Sequence, residues 1–162
     1  MQSGLIFWRT PFRAAGPRPA EQVTAALGAH LAQTRFGMGE RMIGRIEGAR
    51  VRVWRKSIAS FAGDVVEFDG NVRAEDGGSV IEGTMQYKLA AKVQFVGLLA
   101  IGGLLALAGA LRYFAGGEAE ARAFGFGAFV FVGTWFWVYS SSRMRGEQIR
   151  YLASRLEAFV RL

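Results

Sequence analysis

The fold is decided by two uncharged, apolar stretches, VQFVGLLAIGGLLALAGAL at residues 93–111 and AFGFGAFVFVGTWFWVYSSS at residues 123–142. Each is about 20 residues long, and a helix of that length spans roughly 30 Å, the thickness of the bilayer hydrocarbon. Two buried helices of a globular domain are the alternative, but a core helix in so small a domain is expected to have a polar face. The sequence therefore predicts a transmembrane hairpin over residues 93–142, with helices at 93–114 and 123–142 and a turn at 115–122.

The charges around the hairpin predict its orientation. In the turn, Arg112 and Arg122 are balanced by Glu118 and Glu120. The other side carries an excess of basic residues, namely Lys88, Lys92, Arg143, Arg145 and Arg150. An excess of Lys and Arg marks the cytoplasmic side of a membrane protein. We therefore expect a multi-pass membrane protein with its N and C termini in the cytoplasm.

Residues 1–92 are predicted to form a cytoplasmic domain with a short helix and an antiparallel β-meander. Leu5 to Trp8 is a candidate strand, and Pro11 and the following Gly and Pro residues should end it. Helical spacing of apolar residues runs from Val23 to Leu31, and the pattern stops near Phe36.

Two hairpins follow in the sequence. Arg41 to Glu47 and Arg50 to Lys56 alternate on either side of a Gly48-Ala49 turn. A second pair of alternating segments flanks Asp76-Gly77-Gly78. Such alternation is typical of a sheet with one packed face and one solvated face. Whether this sheet is open or closes into a barrel is left undecided by the sequence.

Residues 143–162 are predicted to form a cytoplasmic amphipathic helix. Ile149, Leu152, Leu156 and Phe159 recur on one side of it. Three placements are open: on the membrane surface, against the β-domain, or against another copy of the chain.

Composition excludes several classes of chemistry. The 162 residues include 20 Lys and Arg, 13 Asp and Glu, one His and no Cys. Thiolate catalysis, Cys-ligated metals and His-rich metal centres are therefore impossible. His30 is interpreted as a partly buried helix residue, and Glu67, Asp69 and Glu75 as a solvated strand face. We expect no catalytic residue, no metal site and no cofactor.

The candidate contact residues are basic and aromatic. Along one strand, Arg50, Arg52, Trp54 and Lys56 share a face. That face is interpreted as either simply solvated or in contact with anionic lipid headgroups, which we prefer to nucleic acid because a membrane anchor lies nearby. The full set expected to touch headgroups or a partner is Arg50, Arg52, Trp54, Lys56, Lys88, Lys92, Trp135, Trp137, Arg143, Arg145 and Arg150. Trp135 and Trp137 are typical of an interfacial aromatic belt.

A stripe of small residues marks the first apolar helix. Gly102, Ala106 and Ala110 repeat every four residues and favour close helix packing. The partner is either the second helix of the hairpin or another chain. No ionisable residue lies in the middle of either helix, which argues against an ion or proton pathway within one copy.

Several motifs resemble those of a type of small bacterial membrane protein. They are GRIEG at residues 44–48, SFAG at 60–63, FDGNV at 68–72 and GSVIEGTM at 78–85, followed by the apolar helices. In that type, a short helix and a β-meander precede a transmembrane hairpin. The resemblance implies a bacterial inner (plasma) membrane protein and this architecture, and it implies no activity.

Together these observations predict an α+β integral membrane protein without enzymatic activity. We expect a membrane-apposed interaction or assembly module that binds a protein or anionic lipid. Its partners would be the lipid bilayer and a homo-oligomer or larger membrane complex, with no nucleic acid and no identifiable small-molecule substrate. The alternatives are an accessory subunit of a transporter or channel and, less favoured, a membrane-associated enzyme.

Overall fold

The computed structural model describes residues 6–34, 39–56, 65–114 and 121–161. Over these described residues the protein is α+β, with a five-stranded antiparallel sheet and three helices. The elements are β1 (Arg9–Gly16), α1 (Ala20–Thr34), β2 (Arg41–Glu47), β3 (Arg50–Lys56), β4 (Val66–Glu75), β5 (Gly78–Tyr87), α2 (Leu89–Phe114) and α3 (Ala121–Arg161). The chain divides into two compact units. The sheet unit comprises Met1–Lys88 and Arg143–Leu162, and the helical unit comprises Leu89–Ser142.

The sheet is open and has the strand order β1-β5-β4-β3-β2. Strands β2 to β5 form the expected meander, and β2 and β3 have the predicted bounds. Gly48 has a φ of 61° at the first position of the β2–β3 turn, a conformation that glycine adopts without steric cost. The turn chemistry therefore sets the register of this hairpin.

Strand β1 corrects the prediction for the N-terminal segment. The strand runs from Arg9 to Gly16 and pairs with β5, whereas the sequence placed a strand at Leu5 to Trp8 and a break at Pro11. Leu5 lies outside the described residues, and Trp8 precedes the strand. Because β1 is an edge strand, Pro11 costs no ladder hydrogen bond on its open side.

One face of the sheet is packed and the other is open. Side chains that alternate along the strands are buried on the packed face: Met42, Val51, Val53, Phe68, Val72, Ile81 and Met85. Helix α1 begins next to Pro19, whose carbonyl accepts a hydrogen bond from Val23 N, and it buries Val23, Leu27 and Leu31. The other half of the cover comes from Leu152, Leu156 and Val160, near the end of α3.

Helix α3 is continuous, which corrects the predicted break near residue 142. Its 41 residues run from Ala121 to Arg161. Between Tyr139 and Glu147 no proline interrupts the backbone, and Ser142 Oγ donates to the Tyr139 carbonyl within the helix. The sequence shows a change in polarity at this point, but polarity alone does not end a helix.

The last part of α3 packs within the sheet unit, which is one of the three placements left open. Gln148 is buried, and its Oε1 accepts a hydrogen bond from Val66 N at 3.2 Å. The His30 and Phe159 rings meet edge to face, so this segment also contacts α1. Leu152 and Leu156 are buried as the spacing predicts, whereas Ile149 and Phe159 are only half-buried.

Two helices are long and apolar enough to cross a membrane, over Leu89–Leu111 and Phe124–Arg161, and the second of them continues from the helical unit into the sheet unit. Helix α2 begins at Leu89, four residues before the predicted start, and the greater part of the predicted turn lies outside the described residues. In their apolar windows only 17% and 22% of residues are buried, far less than in a core helix. Among the described residues, all exposed large apolar side chains except Phe7 and Met144 lie in the helical unit.

Candidate interaction surfaces

The small-residue stripe of α2 packs against α3. A Cβ atom on Gly102 would lie 2.9 Å from Phe131 N, and one on Gly109 would lie 2.6 Å from Phe124 N. A Cβ atom on Gly127 would collide with the backbone at Ala106. Residue numbers increase along α2 from Gly102 to Gly109, while those of the contacting residues on α3 decrease by the same amounts from Phe131 to Phe124. The two helices therefore run antiparallel. The stripe predicted from Gly102, Ala106 and Ala110 is thus used within the hairpin, and Ala110 is only half-buried beside it.

Some aromatic residues of α3 pack at its interface with α2, and others are exposed on its outer side. Trp137 packs edge to face on Phe95, with ring centroids 4.9 Å apart. Trp135 is exposed, and its place at a membrane interface stays a prediction. Thr134 is buried in the unit, and its hydroxyl donates to the Val130 carbonyl at 2.7 Å. Its polar group is therefore satisfied within its own helix.

On the open face of the sheet, two arginines share one carboxylate. Arg50 binds Asp69 in a bidentate manner, with Nε–Oδ1 and Nη2–Oδ2 distances of 2.9 and 2.8 Å. Arg52 Nε lies 3.2 Å from the same Oδ2. The hydrogen bond from Arg50, with the charge of Arg52, lowers the pKa of Asp69 although partial burial opposes this shift. Asp69 therefore offsets part of the charge predicted to meet lipid headgroups.

The remaining candidates of β3 also lie on the open face or at its end. Lys88 Nζ sits 4.5 Å from the centroid of the Trp54 ring, and Lys56 is exposed at the end of the strand. Ion pairs join Arg13 to Glu75 and Arg73 to Glu82 across the same face. A shallow depression of about 840 Å³ lies among Arg13, Arg50, Asp69, Asn71, Glu82 and Thr84. The surface is thus a mixture of both charges.

An aromatic cluster holds Arg145 inside the sheet unit. Its Cζ lies 4.8 Å from the Trp8 ring centroid, and the Trp8 and Tyr87 ring centroids are 6.0 Å apart. Burial raises the pKa of Tyr87, while the neighbouring Arg145 charge and hydrogen bond oppose the shift. The sequence predicted Arg145 as a headgroup contact but gave no sign of this cluster, because its members are far apart in the chain. Arg143 and Arg150 are exposed, and Lys92 is half-buried on α2.

Arg55 lies on the opposite side of β3 from the basic residues Arg50 and Arg52. Its guanidinium lies 2.8 Å from Glu40 Oε1 and 3.5 Å from Glu147 Oε1, and it stacks 5.5 Å from the Tyr151 ring centroid. The Glu40 contact is an ion pair without a linear hydrogen bond. Arg55 therefore joins β3 to the last part of α3 and is not part of the open face.

His30 occupies a packing position. Its ring centroid is 5.4 Å from that of Phe159, and burial together with the nearby Arg155 charge lowers its pKa. Among the described residues, no group of three or more His, Asp and Glu side chains could hold a metal ion.

No protein family, curated protein or solved structure matches this chain.

Proposed function

We propose that this chain is an integral membrane protein that acts as a non-enzymatic assembly module, with the sheet unit as its protein-binding part. One observation carries the membrane part of this proposal: among the described residues, large apolar side chains are exposed almost exclusively in the helical unit, which interrupts the sequence of the sheet unit. Exposed apolar surface of this extent is costly in water and stable in lipid. The sheet unit, by contrast, has an ordinary buried core.

Anionic headgroups are the second expected contact. Lys88, Arg143 and Arg150 lie close to the two apolar segments in sequence, on the side predicted to be cytoplasmic. A basic residue near an anionic leaflet contributes about 1 kcal/mol to attraction. Asp69 binds both Arg50 and Arg52 and offsets part of their charge.

The alternative role, an accessory subunit of a transporter or channel, relied on the small-residue stripe of α2. That stripe is occupied by α3 of the same chain. The assembly surface is therefore expected on the sheet unit.

The test has two readings from one preparation. Membranes are first washed with alkaline carbonate, and a chain that spans the bilayer stays in the pellet, whereas release into the wash would contradict membrane insertion. The retained protein is then taken into mild detergent for native mass spectrometry. A protein–protein complex is expected, and a monomer carrying lipid alone at every concentration would contradict the assembly role.

A paired variant tests the headgroup contact in the same spectra. Arg143→Gln with Arg150→Gln should reduce the number of bound anionic lipids. Arg13→Gln with Arg73→Gln removes the same charge from ion pairs on the open face and serves as the control. Equal lipid loss from both pairs would contradict a specific contact at Arg143 and Arg150.

A further inference from the structure

The outer edge of β2 is unpaired in the part of the chain that the structure describes. The strand order ends at β2, which pairs only with β3. The opposite edge strand, β1, contains Pro11, which lacks an N–H and hinders pairing. Strand β2 has seven residues and no proline. Its backbone is a template onto which another strand can add.

The sequence of β2 is self-complementary when two copies run antiparallel. Arg41 and Glu47 lie at its two ends, with Gly44 in the centre. Pairing centred on Gly44 places each Arg41 opposite Glu47 of the second copy and uses all seven residues. It also places Met42 opposite Ile46 of the second copy, on the packed side of both sheets.

Other registers are less favourable. If the second strand moves by two residues in one direction, Arg41 lies opposite Arg45 of the second copy. If it moves by two residues in the other direction, Arg45 lies opposite Arg45 of the second copy. Like charges directly opposite each other destabilise a sheet. A shift by one residue reverses the faces of the added strand and exposes its packed side. Charge and pattern therefore favour the register centred on Gly44.

Neither end residue is held by a strong polar partner among the described residues. Arg41 Nε and Nη1 are buried without a hydrogen-bond partner, so the side chain must turn outward to meet an added carboxylate, which would then satisfy donors that lack an acceptor. Glu47 contacts Arg45 Nε at 3.2 Å, with both side chains about 60% exposed. An exposed pair of this kind contributes little, so Glu47 can exchange partners at small cost.

Helix α1 lies against β2 beside this edge of the sheet. A groove of about 580 Å³ lies beside it, lined by Leu31 and Ala32 of α1 together with Ile43, Ile46 and Trp54. We propose that β2 pairs antiparallel with β2 of a second copy, centred on Gly44, so that two sheets join into one. This inference names the partner for the assembly module proposed above and in that sense rests on it.

Charge reversal tests both the partner and the register. The full chain in mild detergent is diluted stepwise, and its dimer dissociation constant is followed by light scattering. Glu47→Arg and Arg41→Glu should each weaken the dimer at least about tenfold, because each dimer contains two such pairs. The double variant exchanges the charges and should return the dissociation constant to within about threefold of the original. Glu157→Arg makes the same charge change on the exposed side of α3 and should leave the dimer unchanged.

Four results would overturn the inference. These are a parent chain that is monomeric, a dimer insensitive to Glu47→Arg, equal weakening of the dimer by Glu157→Arg, and a double variant whose dissociation constant does not return towards the original. Circular dichroism of Arg41→Glu separates a folding defect from a pairing defect, and Glu47→Arg, at an exposed position, carries the test if Arg41→Glu misfolds.

The two proposals can fail separately. Release by carbonate with a charge-dependent dimer would remove the membrane anchor and keep the strand pairing. Carbonate resistance with a stable foreign subunit and no self-association would keep the assembly module and remove the strand pairing.

Discussion

Gln148 joins the last part of α3 to the sheet through one buried hydrogen bond. Its Oε1 accepts from Val66 N, where β4 begins. Gln148→Leu keeps the volume but leaves the Val66 N–H without its acceptor, which costs about 1–3 kcal/mol. We expect a lower melting temperature and faster hydrogen exchange at Val66.

Ser154→Leu is the matched control, because Ser154 is exposed on the same helix. If both variants melt at the same temperature and Val66 stays protected, the bond contributes nothing to the sheet unit.

His30 should make stability depend on pH in a defined window. Burial lowers its pKa in the folded chain below the ordinary value of 6.5. The unfolded chain therefore binds the proton more readily, and stability falls as the pH drops from above 6.5 towards the folded pKa, then levels off. The lowered pKa of Asp69 acts below its ordinary 3.8 and the raised pKa of Tyr87 acts above 10.0, so neither affects this window.

His30→Gln should flatten the decrease in melting temperature between about pH 7.5 and 5.5. An unchanged slope in the variant would show that His30 does not cause it.

At the level of single residues, the sequence predicted which face of the sheet a side chain lies on better than it predicted which residue that side chain contacts. The alternation of Arg50, Arg52 and Trp54 with Val51 and Val53 correctly placed the basic residues on one face. Their shared partner Asp69 depends on the register between β3 and β4, which no local pattern specifies. Arg145 stacks on Trp8, which is far from it in sequence, so this contact could not be predicted from residue spacing.

At the scale of elements, the hairpin depends on close approach at small residues. Gly127 of α3 faces the backbone at Ala106 of α2, so a larger side chain must push the two helices apart. Gly127→Leu should lower the melting temperature in detergent, and overpacking of this kind costs about 1–3 kcal/mol.

Gly133→Leu provides the control within the same helix, since nothing lies within 4 Å of a Cβ atom placed there. Equal melting temperatures for the two variants would contradict close packing of α2 against α3 at Gly127.

Elements governed by local chemistry were predicted most accurately. The bounds of β2 and β3 follow from alternation and from a turn that requires a positive φ at Gly48. Strand β1 was misplaced because Pro11 reads as a strand breaker, and only its edge position makes it acceptable. The continuity of α3 was missed because a fall in hydropathy was taken as the end of a helix.

At the scale of the molecule, the two units differ in where their apolar side chains lie. The sheet unit buries its apolar residues, and the helical unit exposes them. Hydropathy predicted this division, because it depends on composition over long windows and not on individual contacts. That the tail returns to the sheet was not predictable, since an amphipathic helix fits a membrane, a sheet or a second copy equally well.

The most direct test of the proposed membrane insertion and orientation is cysteine accessibility in intact cells. Because the chain has no native cysteine, each introduced cysteine can be labelled without background from others. A membrane-impermeant maleimide should label Glu118→Cys, which lies between the two apolar segments in sequence. It should label Ser154→Cys, on the exposed side of α3, only after permeabilisation. This pattern would place the sheet unit in the cytoplasm on a membrane-spanning hairpin. Labelling of Ser154→Cys in intact cells, with Glu118→Cys protected, would contradict the proposed orientation, and equal protection of both would contradict a hairpin that crosses the bilayer.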